Sequence, residues 1–575
     1  MKKKKTVEIL FFAVLFIFSW WLMWKTFRVN ASGNLEIATK VWSDFAATIP
    51  LIRSFSFGQN WPPQYPLFAG PPIRYHFAFF AGVGLLEKIG LPLDWALNLP
   101  SALSFFLLLL AIYFLSFEIF KKKSVSIMSC LFFLFNGSFA FLDFFKKYPL
   151  SIHTLTDIFN HDSFLAFGPY YGNKTISAFW NLNIYTNQRH LALAYAFFLL
   201  LLFAIYKGSQ SPAGFSWTKT LVLAIIVGLF PFIHLSVFAM MGTTLFISFF
   251  LFPPLRKKIF AIGAVALIIA LPQIIYMGFS EAKTSLFHPG YLIENLSFFS
   301  FIKYWFLNLG LVSVLTPIGF LLATRRQRKI FLPFLVLFVI GNLFQFSPET
   351  AANHKFFNLF VIGADIFTAY VLALVWQQKI VGKVLAAICF LGLTLSGIID
   401  LFPIKNDVYA EVKDGKNNPA EQYIIANTAK NSLFLNSSFT YHPASLAGRP
   451  IFLGWPYFAW SAGYDISFRS SVMENIYESH NREEVCRLAI GNKIDYITVE
   501  NTTNDINLPQ IDLSFFRENF KAAYADQRKN FYIIDIQDNC LEYLFCQEPY
   551  FCRPPLHYYR PPNDCFALLP LHLFY

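Results

Sequence analysis

Long apolar runs separated by short polar connections dominate the chain. They recur at residues 9–24, 99–120, 125–142, 191–206, 221–252, 259–277, 301–322, 331–344, 356–376 and 384–399. A membrane crossing takes about 17 to 25 residues, so the run 221–252, with Pro231 and His234 near its middle, reads as two crossings folded there. About eleven spans result. Lys2 to Lys5 ahead of the first run outline a signal peptide. The run is long for a signal's apolar core, however, and no small-x-small cleavage site follows, so it reads as a first span that stays attached.

The polar connections add an orientation. Lys2 to Lys5, Lys121 to Lys123, Lys207 with Lys219, Arg256 to Lys258, Arg325 to Lys329, and Lys379 with Lys383 fall on alternate connections, provided residues 74–90 lie at the interface without a net crossing. The bias of Lys and Arg toward the cytoplasm then places the N-terminus inside and everything after residue 401 outside. From about 407 to 537 the composition is that of a soluble module. Strands are expected at 432–435, 494–499 and 531–536, and a helix at 482–490. The expected fold is a polytopic α-helical membrane protein with a small C-terminal extracytoplasmic α/β domain. Its parts are residues 1–404 in the membrane (30–90 forming the first outer loop), 405–537 as the outer domain, and 538–575 as a Cys-, Pro- and aromatic-rich tail, read as disordered.

Composition agrees: 56% of the 575 residues are hydrophobic and 14% charged, well below the roughly 25% of soluble domains. The formal charge of +12 lies in the inner connections, so membrane topology explains it and nucleic acid is not an expected partner. Seven cysteines form no C-x-x-C pair. Four of them, Cys540, Cys546, Cys552 and Cys565, sit near the C-terminus, and their spacing supports no particular pairing.

Nearly all chemically capable polar residues fall on the outer connections, which makes that membrane face the place to look for a site. The first outer loop carries KVWSDFAATIPLIRSFSF, in which Val41, Phe45, Ile49 and Ile52 share one helical face and Asp44 and Thr48 lie a turn apart. This is the pattern of an amphipathic helix resting on the membrane. NWPPQYPLFAGPPIRYHF follows, with Arg74 and His76. Two later connections each set amides, a histidine and a strong cation at the mouth of a span. One holds Asn187, Gln188, Arg189 and His190; the other holds Asn353, His354 and Lys355. Such positions suit an anionic lipid head group, or a snorkelling anchor in the case of Arg189 and Lys355. His234 beside Pro231 could line the same cavity or serve backbone carbonyls freed by the break. In the outer domain Trp455, Tyr464 and Asp465 suit sugar stacking, or a domain resting on lipid.

The first span, the acidic residue of the juxtamembrane helix, the Pro-rich segment ending PPIRYHF, and LPLDWALNLPSALSFFLLLLAIYFL together resemble the GT-C superfamily of membrane glycosyltransferases. The stretch NLPSAL is similar to the start of an early span in aminoarabinose- and mannosyl-transferring members. The resemblance implies transfer of a sugar from a polyprenyl-phosphate carrier to a glycan, lipid or protein acceptor at the outer membrane face, with inversion. It makes Asp44 the general base. Many members carry a pair of acidic residues there, whereas this chain has one, so a divalent cation such as Mg or Mn would need His161 or Asp162 beside Asp44. A leaving phosphate calls for cations, and Arg74, Arg189, Lys355, His190 and His354 are the candidates; His76, Asn187, Gln188, Asn353, Trp455, Tyr464 and Asp465 are candidates for acceptor or sugar contact. One rival reading is a phosphotransferase or hydrolase acting on lipid-linked substrates at the same surface; the other is a polytopic transporter or lipid flippase, against which stand the absence of an internal repeat and the scarcity of charges within the spans.

Overall fold

The computed structural model describes residues 2–164, 175, 177–211, 214–282, 285–501 and 508–544. The chain is a polytopic helical membrane protein carrying a small sheet-containing domain at its C-terminal end. Among the described residues, seven helices are long and apolar enough to cross a membrane: Thr6–Thr26, Leu93–Phe120, Leu191–Gly208, Phe230–Leu251, Pro253–Met277, Thr350–Val375 and Ile380–Lys405. An eighth span is possible if Phe298–Leu309 and Val312–Leu322, bent by 90°, are taken together.

This is fewer full-length crossings than the eleven expected from hydropathy, and the differences have local causes. Lys123–Leu134 and Trp217–Gly228 are 12-residue helices, about 18 Å long against a hydrocarbon core of about 30 Å. Arg325–Leu343 spends its first turns on Arg325, Arg326, Arg328 and Lys329. The bent pair turns at Gly310, where φ is +56° and a Cβ would lie 1.9 Å from the Gly137 carbonyl oxygen, so only glycine fits the corner. The run 221–252 does divide, at Leu229, and His234 departs from helical geometry one turn into the second piece (φ −167°, ψ 98°). Ala78–Lys88 is an 11-residue helix of about 16 Å, too short to cross.

The two ends of the helical body differ as the connections suggested. At one end Glu8 pairs with Lys123 (2.5 Å) and accepts from Tyr113, Gln210 donates to Glu118, Gln327 to the Ile119 carbonyl, and Lys329 to the Leu251 carbonyl. These contacts join the termini of helices flanked by basic clusters. The C-terminal domain sits at the other end.

That domain is sewn to the helical body by a three-stranded antiparallel sheet in the order β1 (Phe27–Val29), β2 (Leu35–Ala38), β3 (Tyr409–Val412). Phe27 pairs with Ile37, and Leu35 with Val412. The chain leaving the first helix and the chain leaving the last one therefore share backbone hydrogen bonds. Beyond it lies a four-stranded sheet ordered β4 (Phe434–Leu435), β5 (Tyr496–Val499), β7 (Phe531–Asp535), β6 (Ala522–Asp526). Only β4 and β5 are parallel, and the helix Arg482–Gly491 precedes β5. The three expected strands and the helix are present. β6, and the sheet that borrows from the first outer loop, carried no readable alternation.

Two expectations need correction. The helix Trp42–Ser56 forms, and Val41, Phe45, Ile49 and Ile52 are fully buried. It does not rest on lipid, because its opposite face is buried as well, between Ala78–Lys88 and the C-terminal domain. Periodicity reports one apolar face and says nothing of a second partner. The boundary drawn at 538 falls inside a helix, Ile536–Leu544, whose Cys540 is disulfide-bonded to Cys486 with Cα atoms 5.5 Å apart. That pairing is set by the fold, not by sequence spacing. Cys546, Cys552, Cys565 and the rest of the tail lie outside the described residues.

Candidate active site

Where the helix Trp42–Ser56, the mouths of two spans and the C-terminal domain converge, they enclose a cavity of about 150 Å³. Its polar wall includes Asp44, Asn187, Gln188, His190, Glu349 and Lys355. Tyr65 and Tyr75 come from the Pro-rich segment of the first outer loop, and Tyr457 and Phe458 close the side formed by the domain. Asp44 stands in the first turn of its helix, one turn from Thr48, which also lines the cavity. Lys355 stands in the first turn of His354–Val375.

Burial and the nearby Glu349 carboxylate push the Asp44 carboxyl up to about 6, against the pull of Lys355. A carboxylate in that range holds a proton weakly enough to give it up near neutrality and strongly enough to take one from a hydroxyl. The cavity thus combines a tuned carboxylate, a cation and two side-chain amides, of which Asn187 donates to the Asn183 carbonyl (2.9 Å) and Oδ1 (3.0 Å) and Gln188 reaches His354 (3.4 Å).

The two candidate arginines are elsewhere. Arg189 is fully buried and faces away from the cavity: Nε donates to the Thr186 carbonyl (2.7 Å), Nη1 to Asn98 (3.1 Å), and Nη2 to Thr26 (2.7 Å) and the Met23 carbonyl (3.3 Å). It clamps the first helix to Leu93–Phe120. Arg74 donates to the Gly463 carbonyl (2.8 Å), pairs with Glu281 and lies over the Tyr464 ring. Both guanidiniums sit among fixed acceptors because loops that looked free in the sequence are folded against neighbours.

The remaining candidates divide similarly. Asn353 donates to the Gly341 carbonyl (3.0 Å), closing the end of Arg325–Leu343. His354 is paired with Asn358 (2.7 Å) and stacks on Phe179. Tyr464 is buried, donates to the Pro72 carbonyl (3.0 Å) and accepts from the Arg74 amide, so its ring offers no open face for a sugar. Trp455 packs on Tyr457 and Phe458 behind the cavity wall, and Asp465 is exposed and accepts from the Ser467 amide. His161 packs against Phe144 and Tyr148, Asp162 is exposed, and neither lines the cavity with Asp44. His76 lies instead against His190, Nε2 to Nε2 2.6 Å, and stacks on His234.

Tyr65, Tyr75, Glu349, Tyr457 and Phe458 were not among the sequence candidates. Glu349 stands in the sequence just ahead of Asn353, and nothing there marks it as the neighbour of Asp44, 305 positions earlier.

No family model and no curated protein matches the chain. Among solved structures it is similar to the archaeal oligosaccharyltransferase AglB from Archaeoglobus fulgidus in complex with an inhibitory peptide and a dolichol-phosphate. That match has 11% identity over 92% of this chain and 74% of the other, with a TM-score of 0.47. It is similar also to the A. fulgidus oligosaccharyltransferase tethered to an acceptor peptide (11% identity, 92% and 74% covered, TM-score 0.43). A third match is the A. fulgidus enzyme in complex with Zn and sulfate (11% identity, 85% and 68% covered, TM-score 0.40). No residue role is transferred from them.

Proposed function

We propose that this chain is an inverting membrane glycosyltransferase of the GT-C type, moving a sugar from a polyprenyl-phosphate carrier to an acceptor at the extracytoplasmic face. The observation that carries the reading is that Asp44 and Lys355, 311 positions apart, line one cavity at the mouth of the spans, on the end of the molecule away from the basic clusters. Under the positive-inside bias the basic end is cytoplasmic, which puts the N-terminus inside and the C-terminal domain outside.

In this reading an acceptor hydroxyl enters beside Asp44. The carboxylate takes its proton as the hydroxyl oxygen attacks the anomeric carbon, and the bond from that carbon to the carrier phosphate breaks. Lys355, with the Gln188 amide beside it, meets the charge that develops on the departing phosphate. Tyr65, Tyr75 and Tyr457 offer aromatic walls for a sugar ring. Arg189 and Arg74 act at a distance, holding the first helix and the domain in register.

The test is transfer of sugar from a polyprenyl-phosphate donor by the purified full-length protein. Asp44→Asn is expected to abolish transfer while the unfolding temperature stays within about a degree of the wild type. Full activity in that variant overturns the assignment of the base. Movement of substrate across sealed vesicles without transfer would instead favour the transporter reading.

A further inference from the structure

At the cavity wall, where His190 lines it, stands a cluster that the transfer chemistry does not use. His76 precedes the helix Ala78–Lys88, His190 caps Leu191–Gly208, and His234 lies at the irregular turn of Phe230–Leu251. One ring nitrogen from each falls within 4.8 Å of the others. His190 and His234 are 1% and 0% exposed. The His234 Nδ1 accepts from the Val237 amide (3.4 Å), which leaves its buried Nε2 with no hydrogen-bond partner among the described residues. His76 and His190 point Nε2 at Nε2, 2.6 Å apart, a pair that one shared proton can satisfy while the third ring nitrogen stays unpaired.

We propose that His76, His190 and His234 together bind one zinc-class divalent cation. Three imidazole nitrogens from three separate segments, converging with no Asp or Glu carboxylate in the group among the described residues, form the donor set of a borderline transition-metal ion. Magnesium and calcium require oxygen ligands. Two nitrogens each about 2.0–2.1 Å from zinc at a tetrahedral angle lie about 3.4 Å apart, so the His76–His190 separation opens by less than about 1 Å on loading. The ion then takes the place of the shared proton and also satisfies the His234 Nε2, a buried group whose isolation is otherwise costly. Three protein ligands leave a fourth position for water or for an oxygen of a ligand in the cavity that His190 lines. Asp44 and Glu349 on the same cavity supply negative charge toward the dication, part of which Lys355 already balances. This assignment stands whether or not the chain transfers sugar.

Chelator-stripped, full-length protein in detergent is titrated with Zn²⁺ and Co²⁺, with metal content measured after desalting and the Co²⁺ visible spectrum recorded. One equivalent of either ion per chain is expected, with the d–d bands of a nitrogen-rich, low-symmetry site. Zn²⁺ should raise the unfolding temperature, and Mg²⁺ at the same concentration should leave it unchanged. His76→Gln, His190→Gln and His234→Gln should each weaken binding by more than about a hundredfold, beyond what loss of an outer-shell partner causes. If His234→Gln does not fold, His76→Gln, at a partly exposed position, decides alone. Substoichiometric metal, equal binding of Mg²⁺, or undiminished binding in His76→Gln overturns the proposal and leaves the cluster a stack of neutral rings.

Discussion

Two kinds of charged residue lie in the interior of this protein, and they behave in opposite ways. Arg53 is 3% exposed and reaches three carboxylates: Glu87 (2.8 Å), Asp414 (2.8 Å) and Glu421 (3.3 Å). One guanidinium thus joins the helix Trp42–Ser56 to its neighbour Ala78–Lys88 and to the C-terminal domain. Burial and the Asp414 carboxylate raise Glu421, which relieves the excess of negative charge around a single cation. Arg189 is likewise surrounded by acceptors. Asp44 and Lys355 stand instead in one cavity, where burial and Glu349 raise the Asp44 carboxyl against the pull of Lys355. The satisfied clusters hold the scaffold, and the incompletely satisfied one has interaction capacity left for a substrate. Desolvation makes the first kind expensive to break and the second kind reactive.

Substitutions that cross this division should have the largest effects. Asp44→Asn should lower the rate of sugar transfer by about 10²–10⁴-fold, the usual range for losing a general base, with circular dichroism and unfolding temperature preserved. Arg53→Ala does the reverse: it strands buried carboxylates and should cost about 3–5 kcal/mol, read as a large drop in thermal stability and in folded yield. Arg189→Lys keeps the charge but loses the planar fork. It should destabilise by about 1–3 kcal/mol in denaturant titrations while the pH profile of transfer stays unchanged.

The cavity itself can be probed by pH. With Asp44 as the proposed base, transfer requires it ionised, so activity should fall as pH drops through about 6. The groups whose fields reach or face Asp44 are Glu349, Lys355, His190, Tyr65, Tyr75 and Tyr441. Removing the like charge with Glu349→Gln should move the acid limb to lower pH, and removing the cation with Lys355→Gln should move it higher. Identical limbs in both variants would show that another group sets the profile. The smallest effect is expected of Arg74→Ala. Its partner Glu281 is more than half exposed, so the loss should stay within about 1 kcal/mol and leave the rate of transfer nearly intact.

Several features were legible in one dimension because they depend on local pattern. Hydropathy located the helical segments, the basic clusters separated the two ends, and period 3.6 located the buried face of Trp42–Ser56. The strands at 434–435, 496–499 and 531–535 announced themselves as short apolar runs. Span length was less accessible, since a corner such as Gly310 depends on a backbone 173 positions away. Among the polar residues, the sequence recognised chemical capacity but not allegiance. Arg189 and Lys355 look alike at the mouths of their spans, and only packing turns one toward Thr26 and Asn98 and the other toward Asp44.

What the sequence by itself determined is therefore which segments form apolar helices, which end carries the basic residues, and which end holds the polar groups. Burial of apolar area and the preference of charge for one membrane face are additive over neighbouring residues, so they survive reading in order. Only the tertiary structure decided which charges cancel and which remain. The field at Asp44 is a sum over Glu349 and Lys355, and the grouping of His76, His190 and His234 is a meeting of three segments. Both depend on distances across the fold of a few ångströms, over which electrostatic and ligand-field interactions change steeply.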